Sequence, residues 1–304
     1  MKIYNNLKVK NIHKNSVIAI GNFDGLHLGH QKVINQAKKK AKKNKLPVGI
    51  ITFEPVPVMF FNSKKTNHRI NLLDQKIKQF KKFKIDFLII IKFNKRFSSL
   101  TAEQFIKKII CEKSGAKYVY VSKNFKFGKN RLGNINTLIK YEKIHNFKTI
   151  ITSPFKKDRK IISSTFIRKK ISIEKIKEAN KLLSRPWCVE GIVIKGKKRG
   201  RKIGFPTCNI SMTDYIVPKL GVYFVIVRNR SFKKKGIANI GYRPTFNGKN
   251  LLLEVNIFGI NENLYNKELS VNFIKFIRPE KKFKGLEELK KQIKMDITQV
   301  KKNV

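Results

Sequence analysis

The residues with the clearest chemical potential form one short stretch, GNFDGLHLGH at residues 21–30. Gly25 and Gly29 allow a backbone to approach a ligand closely and to adopt positive φ angles. His27 and His30 add two imidazole donors three residues apart. A helix is predicted to begin at His30, and the amides and dipole of a helix start attract anions. The pattern therefore predicts a phosphate-binding turn.

Other interpretations of this turn are weaker. Two histidines at this spacing can ligate a metal, but no third ligand lies close in sequence. They can also be structural, although they are two of only five histidines in the chain. A Rossmann GxGxxG is absent. Residues 191–197 fit GxxxxGK, but Lys198 stands where a P-loop needs Ser or Thr, and the run lies among predicted strands.

Strand-like and helix-like segments alternate through the first half of the chain, which predicts βαβ units and a parallel sheet. The predicted strands are 16–22, 47–53, 86–93, 117–122 and 148–153. The predicted helices are a stretch from His30 with Val33, Ile34, Ala37 and Ala41 on one stripe, 73–83, 102–113 and 134–147. Ligands of such sheets bind at the carboxyl ends of the strands. The turn at 21–30 follows the first predicted strand and so lies where a ligand is expected.

The pattern changes near Leu183-Ser184-Arg185-Pro186. Downstream, short alternating strands punctuated by glycine and proline predict a small antiparallel barrel or sandwich. The last stretch has helical spacing at Leu286, Leu289, Ile293 and Ile297. We therefore expect two domains, 1–183 and 184–304, the second ending in a helix.

Composition narrows the class of protein. The 69 Lys and Arg against 19 Asp and Glu give a net charge of +50, but the excess is spread over the whole chain. Genome bias towards AT-rich codons explains that spread better than a binding stripe would, so no specific nucleic-acid partner is expected. Weak, salt-sensitive binding to polyanions is compatible with it. A basic nucleic-acid-binding protein, motivated by KGKKRGRK at 195–202, is the rival of a different class.

Other compositional signals predict a soluble, cytoplasmic protein without a membrane partner. Cys111, Cys188 and Cys208 are scattered and are expected to be inert thiols in a reducing compartment. The strongest apolar run, 87–91, is too short to span a bilayer. The first residues mix charged and polar types, which is unlike a signal peptide.

The decamer at 21–30 resembles the GxFDGxHxGH signature of the nucleotidylyl transferases, and among them the prokaryotic bifunctional riboflavin kinase/FMN adenylyltransferase family. TFEPVP at 52–57 is similar to that family's TFEPHP, with Val56 where His is usual. KNFKFGKNRLG at 123–133 and ISSTFIR at 162–168 resemble EDFRFGKGRAG and ISSTRIR. The match runs in order along nearly the whole first domain.

The second domain carries its own resemblance. RGRKIGFPTCNI at 199–210 is similar to the riboflavin kinase signature GRGRTLGFPTANL, with Lys202 and Cys208 as departures. Further similar segments follow in order at 221–225, 239–246, 251–258 and 278–283. The resemblance implies a Rossmann-like α/β nucleotidylyltransferase domain followed by an all-β closed antiparallel barrel with a C-terminal helix.

For the first domain the resemblance implies an ATP site and a flavin site. The FMN phosphate is already an anion, so transfer of AMP needs positioning and charge neutralisation rather than a base. His27, His30 and Arg168 would carry that neutralisation. The implied ATP contacts are Gly21, Asn22, Phe23, Gly25, His27, Gly29, His30, Asn124, Ser164, Thr165 and Arg168, and the implied flavin contacts are Asn124 and Phe127. Ser164 and Thr165 could alternatively form an ordinary N-cap, and Asp24 a turn.

For the second domain the resemblance implies a kinase site. Glu254 would act as base or positioner for the neutral riboflavin hydroxyl, and its alternative is an ordinary exposed strand residue. Thr207 and Asn209 would contact Mg²⁺, unless they only serve turn chemistry after the proline. Arg278 would approach flavin or nucleotide, or pair with Glu280 at the surface. The implied ATP contacts are Gly200, Gly204, Pro206, Thr207 and Asn209.

The resulting hypothesis is a bifunctional enzyme of flavin-cofactor synthesis. Riboflavin and ATP give FMN, and then FMN and ATP give FAD and pyrophosphate, both with Mg²⁺. Departures from the resemblance leave a second hypothesis, an adenylyltransferase with an impaired kinase domain. They are Asn256 where His is usual, and Asn266 and Ser184 where Gly is usual.

Overall fold

The computed structural model describes residues 1–5, 10–62, 67–196, 199–245, 248–260 and 262–302. It divides into two compact units. The first comprises Met1–Lys65 and Leu73–Ser163, and the second comprises Thr66–Leu72 and Ser164–Val304. The second unit thus includes a short stretch from the first half of the chain.

The first unit is a parallel sheet with helices on both faces, as the alternating pattern predicts. Its strands are β1 (Lys2–Tyr4), β2 (Ser16–Ile20), β3 (Val48–Glu54), β4 (Phe87–Lys92), β5 (Ala116–Ser122) and β6 (Lys148–Thr152), with a small hairpin of β7 (Lys156–Lys157) and β8 (Lys160–Ile161). Its helices are α1 (Leu28–Lys43), α2 (Pro57–Phe61), α3 (Leu73–Lys82), α4 (Lys95–Ser98), α5 (Ala102–Phe105, continuing as a π-helix over Ile106–Lys113) and α6 (Ile135–His145), with 3₁₀ turns at Asn11–His13 and Lys129–Arg131.

The strand order of this sheet is β1-β4-β3-β2-β5-β6, and all neighbours are parallel. Along the chain the sheet grows in one direction from β2 through β3 and β4, and then in the other direction through β5 and β6. The strand order therefore reverses between β2 and β5, and a ligand-binding crevice is expected outside the carboxyl ends of these strands. The turn 21–27, which follows β2, lies at this point.

Two details differ from the sequence prediction. Strand β1 was not expected, since three residues are too few for a recognisable pattern, yet it pairs with β4 and packs Tyr4 against Phe87. Helix α1 begins at Leu28 rather than at His30, because His27 already has the extended backbone of an N-cap.

The second unit holds an antiparallel barrel. Its strands are β9 (Trp187–Ile192), β10 (Cys208–Ser211), β11 (Gly221–Arg228), β12 (Lys233–Thr245), β13 (Gly248–Ile257) and β14 (Glu268–Pro279), and its helices are α7 (Ser164–Ser172), α8 (Ile176–Leu183), α9 (Arg199–Lys202) and α10 (Leu286–Lys302). The strand order is β10-β13-β12-β11-β14-β9. A bridge from the Ile194 amide to the Asn209 carbonyl, 2.9 Å long, joins the ends of this order and closes the barrel.

Helix α10 covers part of the outer face of the barrel. Val300 is buried there against Val222, Phe224 and Ile237, and Ile293 and Ile297 pack beside it. Ile293 and Ile297 of the predicted spacing thus belong to the apolar stripe facing the barrel, whereas Leu286 is exposed. No helix in the described ranges is long and apolar enough to cross a membrane.

Helices α7 and α8 belong to the barrel unit, although the strand pattern begins only after residue 183. Asn180 on α8 explains part of this association, because its amide donates to the Phe273 carbonyl at 2.8 Å and accepts from the Trp187 amide at 2.7 Å. The compact units therefore divide after Ser163, while the change from helices to strands falls at 183/184.

Residues 67–72, here called the strap, also belong to the barrel unit. The indole of Trp187, which is fully buried, donates to the Ile70 carbonyl at 3.0 Å. The guanidinium of Arg185 donates to Asn71 Oδ1 at 2.9 Å. The buried indole of Trp187 and the half-buried guanidinium of Arg185 thus each have an acceptor from the first half of the chain.

Candidate active sites

The predicted phosphate turn has an unusual backbone. Phe23, Gly25 and Leu26 all have positive φ, at 49°, 82° and 40°. Only glycine adopts such angles without cost, and strained residues of this kind concentrate at functional sites. The side chains of Phe23 and Leu26 are buried in the core beneath the turn, which offsets the strain. The turn is therefore held in shape by its hydrophobic residues as well as by its glycine.

The two histidines of the turn lie against each other. The rings of His27 and His30 stack, with centroids 3.7 Å apart and planes 23° apart. The Phe23 ring makes a T-shaped contact with the His30 ring, with centroids 5.3 Å apart. His27 is the N-cap of α1 and makes no side-chain cap to the helix amides. Both imidazoles are thus held at the start of α1, where the first-turn amides and the helix dipole favour an anion.

Gly29 serves this arrangement by its size. A Cβ on Gly29 would lie 3.1 Å from the His27 ring and 3.4 Å from the Ile162 carbonyl. The expectation of a positive φ is wrong for this glycine, since it lies in the first turn of α1. Gly25 has the positive φ. Glycine is therefore favoured at position 25 by the backbone conformation and at position 29 by the lack of space for a side chain.

The other predicted residues of the first unit differ in accessibility. Asn22 and Asn124 are exposed, and they follow β2 and β5, the strands that flank the crevice. Gly21 is half-buried and packs against the Phe23 ring. Phe127 is 6% exposed and packs against Phe105 in the core. Phe127 thus supports the loop from inside, and its contact with flavin stays a prediction.

Sequence reasoning missed a buried ion pair in this unit. Lys76 on α3 is 1% exposed, and its Nζ lies 3.9 Å from Glu54 Oε2 at the end of β3. A signal was present, because Lys76 falls on the apolar stripe formed by Leu73, Ile77 and Phe80. Val56, which stands where the resemblance has His, is buried two residues beyond Glu54.

The residues of the ISSTFIR motif lie at the start of α7, in the barrel unit. Ser164 is half-buried and Thr165 is exposed. Arg168 donates from Nε to the His68 carbonyl of the strap at 2.9 Å. The strap therefore orients Arg168, a contact that no local sequence pattern indicates.

The predicted kinase residues meet on the outer face of the barrel. Asn209 on β10 pairs in register with Glu254 on β13, which pairs in turn with Asn239 on β12. Directly opposed residues point to the same side of a sheet, with Cβ atoms about 4.5–5.5 Å apart. Burial alternates accordingly, since Leu253 and Val255 are fully buried and Glu254 is half-buried. Asn209 and Glu254 are thus immediate neighbours, although 45 residues separate them.

The loop that precedes β10 is built around two glycines. The Phe205 amide donates to the Gly200 carbonyl at 2.8 Å, and a Cβ on Gly200 would lie 2.4 Å from the Phe205 carbonyl oxygen. Gly204 has a φ of 86°. This tight loop ends at Pro206 and Thr207, and Thr207 is exposed one residue before β10 begins.

A small cleft of about 60 Å³ opens beside this loop. It is lined by Pro206, Thr207 and Cys208 together with Val255 of β13 and Tyr265. Burial raises the pKa of the Cys208 thiol to about 11, so the side chain is neutral at physiological pH. Cys208 therefore contributes a small, uncharged wall to the cleft.

Arg278 is engaged elsewhere than predicted. Its guanidinium binds Asp296 of α10 through both carboxylate oxygens, with the shortest contact at 2.8 Å. The predicted alternative of a surface pair with Glu280 is wrong, because Glu280 instead accepts from Asn239 at 3.4 Å and Arg278 lies under α10. Asp296 is 2% exposed and lies beside the apolar stripe of α10 formed by Ile293, Ile297 and Val300. A role of Arg278 in flavin binding stays a prediction.

The oxygen donors around residues 200–207, here called the kinase loop, suit a hard cation. Hydroxyl, amide and carboxylate oxygens are offered by Thr207, Asn209 and Glu254, and Mg²⁺ prefers such oxygens while keeping water and substrate phosphates as further ligands. No group of three or more His, Cys, Asp or Glu that could hold a metal occurs in the described part of the chain. The oxygen donors of Thr207, Asn209 and Glu254 therefore fit Mg²⁺ in chemical type.

Comparisons with known proteins agree with this division of sites. A family model described as FAD synthetase matches residues 9–166, and a model described as riboflavin kinase matches residues 183–304. The chain thus carries two enzymatic domains, one that makes FAD and one that phosphorylates riboflavin. The class is that of flavin-cofactor-synthesising transferases.

Relatives cover both domains at once. A bifunctional riboflavin kinase/FMN adenylyltransferase of Buchnera aphidicola subsp. Schizaphis graminum is 45% identical over 97% of this chain and 96% of that protein. Proteins of the same description are 37% identical in Bacillus subtilis (95% of this chain, 92% of that protein) and 35% identical in Escherichia coli K12 (92% and 90%). The chain belongs to the family of bifunctional riboflavin kinase/FMN adenylyltransferases.

A solved structure has the same fold over nearly the whole chain. It comes from Streptococcus pneumoniae and is described as a macrolide-efflux protein, with 30% identity, a TM-score of 0.86 and coverage of 99% of this chain and 98% of that one.

Proposed function

We propose that this chain catalyses two consecutive reactions. Its barrel unit phosphorylates riboflavin with ATP to give FMN, and its α/β unit transfers AMP from a second ATP to FMN, giving FAD and pyrophosphate. The observation that carries the proposal is the in-register pair of Asn209 and Glu254 beside Thr207, combined with the histidine pair at the start of α1. Because each unit carries its own set of polar groups, both activities are proposed rather than one.

For adenylyl transfer we assign phosphate binding to the turn at residues 21–30. An FMN phosphate oxygen attacks the α-phosphorus of ATP while the bond to pyrophosphate breaks, so no proton has to be removed from the nucleophile. His27, His30 and the first amides of α1 hold the ATP phosphates and offset the charge that develops on the leaving group. Asn124, across the crevice, is proposed to contact nucleotide or flavin. Ser164, Thr165 and Arg168 are proposed as further phosphate contacts.

For the kinase reaction we assign Glu254 to the riboflavin hydroxyl. A neutral hydroxyl is a weak nucleophile, and a carboxylate that accepts its proton or orients it assists attack on the γ-phosphorus of ATP. Thr207 and Asn209 would hold Mg²⁺, which when bound neutralises the phosphates of ATP. The loop from Gly200 to Pro206 presents its backbone to the nucleotide.

The experiment that tests both activities is direct. The purified protein is incubated with riboflavin and MgATP, and the flavins are separated by chromatography. We expect FMN first and then FAD. Formation of FAD only when FMN is supplied would leave an adenylyltransferase with an impaired kinase, and absence of both products would refute the proposal.

We also propose a cytoplasmic location, because both reactions consume ATP. No specific nucleic-acid or membrane partner is proposed. The chain carries two ordered sets of catalytic motifs, and a basic composition alone does not explain them.

A further inference from the structure

One hydrogen bond between the kinase loop and the barrel comes from Asn256. Its Nδ2 donates to the Pro206 carbonyl at 2.8 Å, across 50 residues of sequence. This carbonyl belongs to the peptide that joins Pro206 to Thr207, so the hydrogen bond fixes the peptide plane immediately before Thr207. Asn256 also lies two residues after Glu254, on the same outer face of β13.

The register explains why a side chain is needed at this point. The ladder between β10 and β13 begins with Cys208 opposite Val255, so the next position outward would place Thr207 opposite Asn256. Pro206 has no N–H and cannot extend a ladder as a donor. The side-chain amide of Asn256 instead donates to the Pro206 carbonyl. This hydrogen bond joins the loop to β13 one step beyond the last strand pair.

We propose that Asn256 is a positioning residue of the kinase site, which holds Thr207 at a fixed place relative to Asn209 and Glu254. The inference rests on the proposed kinase function, because Thr207 and Glu254 have their roles there. It also assigns a role to a residue that departs from the family resemblance. The requirement at this position is a hydrogen-bond donor, which either an amide or an imidazole can supply.

The test compares three substitutions that separate the donor from the bulk of the side chain. Asn256→Asp keeps the shape but removes the donor, Asn256→Ala removes both, and Asn256→His keeps a donor. We expect the Asp and Ala variants to lose about tenfold or more in kcat for riboflavin phosphorylation and to need more Mg²⁺ for half-maximal rate, with the KM for riboflavin little changed. The His variant should stay within about threefold of the original protein.

A second readout needs neither substrate nor metal. Hydrogen exchange, followed by mass spectrometry on the free protein, should be faster at the amide of Phe205, which donates to the Gly200 carbonyl, in the Asp and Ala variants, and unchanged in the His variant. A role limited to overall stability would speed exchange throughout the barrel. FAD synthesis from supplied FMN should be unchanged in every variant, which shows that the α/β unit of each variant remains active.

Asn229→Asp is the matched control. It makes the same substitution in the same unit, and Asn229 uses its Oδ1 to accept from the Ser231 and Phe232 amides, which Asp can also do. The inference is overturned if Asn256→Asp matches the original protein in exchange and kcat, if it matches Asn229→Asp, or if Asn256→His is as impaired as Asn256→Ala. Absence of FMN from the original protein would refute the kinase proposal instead, and the exchange measurement would still decide the positioning role.

Discussion

At the scale of single residues, the two proposed chemistries place different demands on side chains. Adenylyl transfer starts from an anionic nucleophile, so the stacked pair of His27 and His30 needs only to hold charge. Riboflavin phosphorylation starts from a neutral hydroxyl, and the half-buried Glu254 stands next to the amide of Asn209. A carboxylate is therefore required in one unit and not in the other.

This difference predicts the behaviour of Glu254→Gln. The amide keeps the size of the side chain but cannot accept the hydroxyl proton, so FMN formation from riboflavin should fall by about 100-fold or more. FAD formation from supplied FMN should be unaffected. Chromatography of flavins with each substrate measures both rates in one preparation. Unchanged FMN formation would remove Glu254 from the kinase mechanism, and full activity of an Asn209→Ala variant would remove Asn209 from it.

Two cysteines are predicted to be unreactive because of burial. Burial raises the pKa of the Cys111 and Cys208 thiols to about 11, above the ordinary 9.0. The reactive thiolate is therefore scarce at pH 8, and alkylation by iodoacetamide should be slower in the folded than in the urea-unfolded protein. Folding favours the neutral thiol, so each of these cysteines adds to the free energy of unfolding below pH 9. This contribution is lost as the pH rises from 9 towards 11. Mass spectrometry of labelled peptides gives both rates, and equal rates would contradict the prediction.

At the scale of elements, helix α10 is fastened to the barrel by one buried ion pair as well as by its apolar stripe. Arg278 of β14 binds Asp296 through both oxygens, and Gln292 donates to the same carboxylate at 3.0 Å. A carboxylate 2% exposed that loses its cation remains charged in a poorly solvated place.

We therefore expect Arg278→Leu to destabilise the barrel unit by about 3 kcal/mol, measured by urea unfolding. Glu287→Gln in the same helix is the control. Its pair with Lys290 is at the surface, at 2.7 Å but with Glu287 85% exposed, and its loss should leave the unfolding midpoint unchanged. Equal effects of the two substitutions would show that burial of Asp296 does not matter.

The elements themselves were largely predictable, and the reasons are specific. Helix α1 and the central strands follow from periodicity, because their apolar residues repeat at helical spacing or form short buried runs. The motifs identified the turn at 21–30 and the face of Glu254. The partner of Arg278 could not be predicted, since Asp296 lies 18 residues away on an element whose packing is set by the barrel. Strand β1 was too short for any pattern. The sequence identified Asn256 only as a departure from the family motif, because its contact with the Pro206 carbonyl depends on the fold.

At the scale of the whole molecule, the barrel unit depends on a segment from the first half of the chain. Burial lowers the pKa of the Arg185 guanidinium to about 10, and the strap offers this buried cation the Asn71 oxygen at 2.9 Å. Arg185 also donates to the Leu183 carbonyl at 3.0 Å, so loss of the Asn71 oxygen removes the acceptor of one of its donors, at a cost of about 1–3 kcal/mol.

Asn71→Leu should therefore lower the free energy of unfolding of the barrel unit by about that amount. The first unit should keep its unfolding midpoint, which is followed separately by hydrogen exchange of peptides from residues 10–62 and 73–163 as urea is raised. Asn71→Asp is the complementary variant, because it restores an acceptor and should recover most of the loss. Destabilisation of the first unit alone would contradict the assignment of the strap to the barrel.

The strap also bears on whether this chain could be divided into two genes. A single break after Ser163 or after Leu183 would produce a C-terminal protein that lacks residues 67–72, and with them the acceptor of the Trp187 indole and one acceptor of the Arg185 guanidinium. An independent kinase would have to replace these two side chains or acquire new acceptors first. Separation would thus demand compensating substitutions before it became neutral, whereas fusion carries no such requirement. The order of the chain itself acts as a barrier to evolutionary fission.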